Sequence, residues 1–337
     1  MTNEGRTMRE QQRAMLTRSA AVAGLGVALL LVFLKLWAVW RTGSAAMLGS
    51  LADTAIDLLA SLATLLGVWI AARPADHDHR FGHGKAEALS ALVQVVLISL
   101  SACGIAIQAV QRLSTGARTE AAGDGIAVSV IAIVATLALL GWQRHVIHRT
   151  GSIAIQTDHV HYKSDLLLNA GVILALLLDQ YGGVRGADPV IALVIAGWLA
   201  WSAWGTSHVA IDNLMDKEWP VGRREDLLDV MRGHPALRGV HDLRTRTSGQ
   251  KDFAQFHIAV DGAMTVAAAH DVIDDIENLL GSRFPDTEFL IHTDPFGHCD
   301  APSERPVDLL TQGVDADFPS TSPDRSAEQP KQDKELN

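Results

Sequence analysis

Asp53 and Asp57 stand four residues apart inside one long apolar run, and His161 and Asp165 repeat that spacing inside another. On a helix this spacing puts both side chains on one face, one turn apart. Asn169 extends the second face by a further turn. An Asp near the centre of a membrane-spanning helix costs about 2.5 to 3.5 kcal/mol, so an unpaired couple would cost roughly 5 to 7 kcal/mol. The compensation is either hydrogen bonding to a neighbouring helix or a bound cation. Three carboxylates and one imidazole make a four-coordinate set that Zn²⁺ accepts at about 2.0 to 2.2 Å. Fe²⁺ and other first-row ions accept the same donors. The chemistry open to this set is the binding of a divalent metal ion. Asp158 and His159 adjoin it but differ from His161 in helical phase, which reads as interfacial polar positions rather than ligands.

Two further clusters have ligand chemistry. Asp76, His77, Asp78, His79 and His83 crowd a short stretch framed by Pro74, Gly82 and Gly84. Such a loop is either a metal site or a polar surface at a membrane boundary. Near the C-terminus, His241 and His257 fall on expected strands, His270 on an expected helix, and His292 and Asp294 at the end of a last strand. Each alone is an ordinary histidine or carboxylate. Together they converge if the strand ends and the helix face meet at one edge of a small domain, and imidazole is the commonest metal ligand.

The elements that must position these residues follow from apolar patterning. A hydrocarbon core of about 30 Å takes roughly 20 apolar residues per helix. Six runs qualify, at 19–40, 46–71, 88–111, 125–143, 153–178 and 188–211, and they constitute a polytopic six-helix transmembrane domain over 19–211. Arg9, Arg13 and Arg18 precede the first run, Arg73, Arg80 and Lys85 follow the second, and Arg144 and Arg149 follow the fourth. Basic residues mark the cytoplasmic side. The segment 1–18 and the C-terminus are therefore both expected there. After Pro220 the period changes to helix, strand, strand, helix, strand, an α+β cytoplasmic domain over 212–296. The stretch 297–337 is rich in Pro, Ser, Asp and Glu and reads as a disordered acidic tail, its His298 and Cys299 included.

Composition narrows the classes. The chain has 337 residues, 48% of them hydrophobic, and a formal net charge of −10 with no clustered Lys and Arg, so a nucleic-acid partner is not expected. Two cysteines, Cys103 and Cys299, cannot build a disulfide framework or a thiolate metal site. Met1 to Arg18 lacks a small-residue cleavage pattern, which implies an uncleaved first span.

At these residues the chain resembles the cation diffusion facilitator family, and within it the bacterial ferrous-iron and zinc efflux members. The resemblance runs from about Arg18 to Pro295. Its most specific parts are Ser50 to Asp57, the loop from Pro74 to Glu87, His161 to Asp165, and His241 to Arg246. It implies a transport site of Asp53, Asp57, His161 and Asp165, in the two-Asp, His-Asp form of members that handle zinc, iron and cadmium. It also implies a second site of Asp76, His79 and His83, with His77 and Asp78 at non-ligand positions. A binuclear site of His241, His257, His270, His292 and Asp294 is implied near a dimer interface, and an ionic interlock of Lys85 with Asp216 at the dimer seam. On residue type alone, the last two are solvated charges.

The expected function is efflux of Zn²⁺, Fe²⁺ or Cd²⁺ through the bacterial inner membrane by a homodimer. No tightly bound cofactor is expected, and the metal is both cargo and regulatory ligand. Ligation needs deprotonated carboxylates and imidazole, so binding expels protons and protonation favours release, which makes metal/proton antiport the expected mechanism. An intramembrane metalloenzyme would need an open coordination position, and no His-Glu-x-x-His motif is present. A metal-sensing dimer without transport would be expected to lack the membrane ligands, all of which stand in this chain.

Overall fold

The structure, a computed structural model, describes residues 3–42, 45–115, 125–182, 187–297 and 308–313. Six long helices come first: α1 (Asn3–Thr42), α2 (Ala45–Ala71), α3 (Ala86–Thr115), α4 (Gly125–Thr150), α5 (Ile153–Gly182) and α6 (Ala187–Leu214). Five of them contain a described stretch long and apolar enough to cross a membrane, and α5, at 30 residues, completes the bundle. The distribution of side-chain size fits lipid as solvent. Large apolar groups such as Phe33, Trp40, Leu100, Val194 and Trp201 point outward, while Ala20, Ala28, Ala60, Ala88, Ala91 and Ala203 fill the interior. Small residues let helix backbones approach closely where no hydrophobic effect drives them together. Gly67 shows the need, because a Cβ there would run into the Ser90 side chain across the α2–α3 contact. The helix α1 begins at Asn3 and passes Arg18 without a break, so the N-terminal basic residues are helical.

The chain divides into two compact units, one built on Met1–Glu218 with Thr245–Phe253 and Pro285–Glu288, the other on the remainder. The C-terminal elements are α7 (Val221–Met231), β1 (Gly239–Ser248), β2 (Lys251–Val260), α8 (Val266–Arg283) and β3 (Thr287–Pro295), with sheet order β1-β2-β3. Gly249, at φ +62°, makes the turn between β1 and β2. The amide of Asp252 donates to the Asp286 carbonyl and that of Phe296 to the Val260 carbonyl, so β2 and β3 start and end together, and α8 is their crossover. Strand alternation puts Ala254, Phe256, Ile258 and Val260 into the core, against Leu227, Leu228 and Met231 of α7 and Val272, Ile276 and Leu280 of α8. The alternation slips at Asp242, whose φ is +48°, so Val240 and Leu243, three apart, are both buried.

The expected disordered tail needs a correction at one place. A short helix, α9 (Leu309–Gln312), docks on this unit with Leu309 fully buried in the same core. Asp308 caps it by accepting from the Leu310 amide and also accepts from the Val240 amide of β1. A Leu pair in a polar segment supplies the apolar surface that docking requires. His298 and Cys299 lie outside the described residues.

Candidate metal centres

The first centre forms where α2 meets α5. His161 Nε2 lies 3.1 Å from Asp57 Oδ1 and 3.8 Å from Asp165 Oδ2, and its side chain is 3% exposed. One ligand atom from each of the three falls within 4.8 Å of the others. Despite its distance from Asp57, Nε2 makes no hydrogen bond of acceptable geometry. That arrangement suits donors converging on a shared cation better than donors paired with each other. Asp53 lies one turn before Asp57 on α2, and its side chain is outside the described residues. Asn169 turns back to donate to the Asp165 carbonyl at 2.8 Å. Asp158 departs from the interfacial reading: it is fully buried and accepts hydrogen bonds from Thr64 and Gln143. It lies one turn before His161 and two before Asp165 on the same face of α5, so it points into the bundle against α2, not toward the membrane surface.

The second centre lies on the loop between α2 and α3. Asp76 Oδ1 accepts the backbone amides of His79 at 2.7 Å and Asp78 at 3.0 Å, which curls the loop around the carboxylate. The His79 ring then lies 3.3 Å from Asp76 Oδ1, His83 Nε2 lies 3.3 Å from Oδ2, and the two rings sit 4.5 Å apart. Gly82, at φ +81°, returns the chain so that His83 faces inward. The His79 amide is the main cause of an Asp76 pKa below the usual carboxylate value; slight desolvation opposes it, and the His79 side chain, the Asp78 amide and the His83 charge add to it. His77 and Asp78 project into solvent, 97% and 88% exposed.

The third centre sits on the sheet face opposite the core. Asp294, at the end of β3, is buried, with His257 Nδ1 at 2.8 Å, His241 Nε2 at 3.2 Å and His292 Nε2 at 3.3 Å. Burial raises the Asp294 pKa, but the hydrogen bond from His257 and the charges of His257, His292 and His241 outweigh it, and the net value is lowered. Within this chain His270 stands apart from the other expected ligands of this centre. His270 is 71% exposed on α8, paired with Asp274 at 3.6 Å, and does not join the close group of His241, His257 and Asp294. Its helix face points it outward, whereas the strand residues share a sheet face. Asp242, which the sequence did not single out, reaches to 3.8 Å from His257 Nε2 because of its left-handed backbone.

Lys85 and Asp216 are joined within the chain. Lys85 Nζ donates to Asp216 Oδ2 at 3.0 Å and to the Leu214 carbonyl at 3.1 Å. Asp216 holds φ +55°, and Arg246 approaches it at 3.7 Å while lying over the rings of Phe81 and Phe253. No local pattern marks Arg246 or Phe81, because their meeting depends on elements far apart in sequence.

A helical membrane domain with a buried carboxylate and imidazole cluster, continued by an α+β domain with a cluster of its own, defines a carrier for metal cations. Residues 21–215 match the family described as the cation efflux transmembrane domain, and residues 220–296 match the cation efflux protein cytoplasmic domain. The cation-efflux pump FieF of Serratia proteamaculans is 41% identical over 286 residues, covering 85% of this chain and 95% of that protein. FieF of Pectobacterium carotovorum is 41% identical over 282 residues, covering 84% and 94%. Among solved structures, the metal-bound C-terminal domain of the CzcD transporter from Thermotoga maritima is 32% identical, covering 23% of this chain and 90% of that one with a TM-score of 0.22. The chain belongs to the cation efflux family and is a multi-pass transporter of divalent metal cations.

Proposed function

We propose that the chain exports Zn²⁺, Fe²⁺ or Cd²⁺ from the cytoplasm across a bacterial inner membrane, in exchange for protons, as a homodimer with both termini cytoplasmic. The observation that carries this reading is the 3.1 Å approach of His161 to Asp57 across two helices that the chain separates by about a hundred residues. Asp53, Asp57, His161 and Asp165 are the transport ligands in this reading. Carboxylate and imidazole must shed protons to bind metal, so proton and cation compete for one site, and the pH difference across the membrane drives release. Asp76, His79 and His83 form a second site in the loop, and His241, His257, His292 and Asp294 a third, where metal regulates the transporter. The resemblance to the cation diffusion facilitators supports His270 as a contributor across a dimer interface, and Lys85 with Asp216 as the interlock at its seam.

Proteoliposomes holding the purified chain test this. Flux of Zn²⁺, Fe²⁺ and Cd²⁺ is followed with and without an opposing pH gradient. Expected are flux in the wild type, acceleration by the gradient, and loss of flux in Asp57→Ala. Undiminished flux in Asp57→Ala sinks the site, and indifference to the gradient sinks antiport.

A further inference from the structure

The carboxylate of Asp158 is completely buried in the bundle, three residues before His161 on α5, and belongs to none of the three metal centres. An ionisable side chain buried at membrane depth is costly to place there and is a functional residue by default. Its surroundings say what it does. Asp57, Ser61 and Thr64 occupy one face of α2, and each meets a residue of α5. Asp57 faces His161 at 3.1 Å, Ser61 Oγ faces Tyr162 Oη at 2.8 Å, and Thr64 Oγ1 donates to Asp158 Oδ1 at 3.1 Å. The metal centre is thus the first rung of a polar seam, and Asp158 is the last.

Three other helices close on that end of the seam. Gln143 of α4 donates to Asp158 Oδ2 at 2.7 Å, and Gln94 of α3 donates to Thr64. Tyr162 Oη donates to the Gly24 carbonyl of α1 at 2.8 Å. A Cβ on Gly24 would stand 2.9 Å from Asp158 Oδ2, so glycine is what admits the carboxylate here. Asp158 is thereby held by neutral donors from two other helices, in a knot to which five helices contribute. Successive side chains on a helix are turned by about 100°, so fixing residue 158 fixes the direction in which residues 161 and 165 point.

The geometry points to Asp158 as a positioning residue for transport: through Thr64 and Gln143 it sets the rotation of α5 that presents His161 and Asp165 to Asp57. This role rests on the transport site proposed above. It requires hydrogen bonding at residue 158, not its charge. An Asn can meet that requirement, since its oxygen accepts from one neighbour and its amide finds the buried Gln143 Oε1, which has no partner.

The test uses the full chain in proteoliposomes, with Zn²⁺ as probe, and reads KM and kcat separately for Asp158→Asn, Asp158→Ala and Gln143→Leu. A second readout is Zn²⁺ bound per chain in detergent, which includes the loop and cytoplasmic centres. Asp158→Ala is expected to raise KM about tenfold or more, the range for losing a group that orients a metal ligand, with the metal bound at the other centres unchanged. Asp158→Asn is expected to restore KM to within about threefold of wild type, below that range. A wild-type KM in Asp158→Ala overturns the proposal, and so does an Asn variant as impaired as Ala, which would assign the role to the charge itself. If Asp158→Ala does not fold, Gln143→Leu decides: a raised KM supports the positioning role and an unchanged KM overturns it. Asp57→Ala vesicles run alongside separate the two readings. Persistent flux there removes the transport site itself, whereas lost flux there with wild-type KM in Asp158→Ala removes only the role of Asp158.

Discussion

Imidazole against carboxylate recurs at all three centres, yet the surroundings differ and so do the expected consequences of removing a ligand. His161 is buried in the bundle beside the partly buried Asp57, whereas the loop ligand Asp76 is half exposed. Asp165→Asn is expected to lower Zn²⁺ affinity at the membrane centre by at least about 100-fold, the upper end of what removing a mere outer-shell partner costs. Isothermal titration of a chain whose loop and cytoplasmic ligands have been replaced measures it. At the cytoplasmic centre the contrast is between Asp294, which is buried and touched by three imidazoles, and His270, which is exposed. In the metal-free protein the lowered Asp294 pKa means that its contribution to stability is present above the unfolded value of about 3.9 and is lost as pH falls through the folded value. Acid titration followed by circular dichroism is expected to show Asp294→Asn losing less stability over that window than wild type. Equal acid sensitivity in the two proteins would contradict the assignment.

At the scale of elements, the seam between α2 and α5 and the face of the β-sheet do the positioning. The spacings within each helix are local, so Asp57 and Asp165 could be placed on helical faces from sequence. The inward direction of Asp158, three residues before His161 on the same face, is implied by the helical period and differs from an interfacial position, whereas the approach of the two helices is set by small residues and buried hydrogen bonds that carry no periodic signal. The slip at Asp242 in β1 is similar, because a single left-handed residue changes which side chains enter the core without altering the alternation visible in composition. The helix α9 was hidden for a different reason: two leucines do not stand out in a polar tail until a core is available to receive them. Leu309→Ala is expected to destabilise the cytoplasmic unit by about 2 kcal/mol, the lower end for a buried Leu because a four-residue helix can undock. Chemical denaturation of the full chain, followed by hydrogen exchange of the amides of the cytoplasmic unit, reads this, and an unchanged midpoint would mean that α9 contributes nothing.

For the whole molecule, the contact between Lys85 and Asp216 separates stability from transport. Both side chains are about one-third exposed, and such a pair contributes roughly 0 to 1 kcal/mol. Lys85→Ala is therefore expected to leave the melting temperature nearly unchanged while reducing Zn²⁺ flux, and exchanging the charges in Lys85→Asp with Asp216→Lys is expected to recover part of the flux. A fall in stability that matches the fall in flux would make the pair a structural one. The bundle of apolar helices, the α+β character of the C-terminal part and the residue types available to a cation were legible along the chain, because hydropathy and helical or strand period are properties of contiguous segments. That α5 turns His161 toward Asp57, that His292 approaches Asp294 while His270 stays outside, and that Asp158 is enclosed by its neighbours emerges from packing. Those outcomes depend on the rotation and separation of elements distant in the chain, which packing determines and no local pattern encodes.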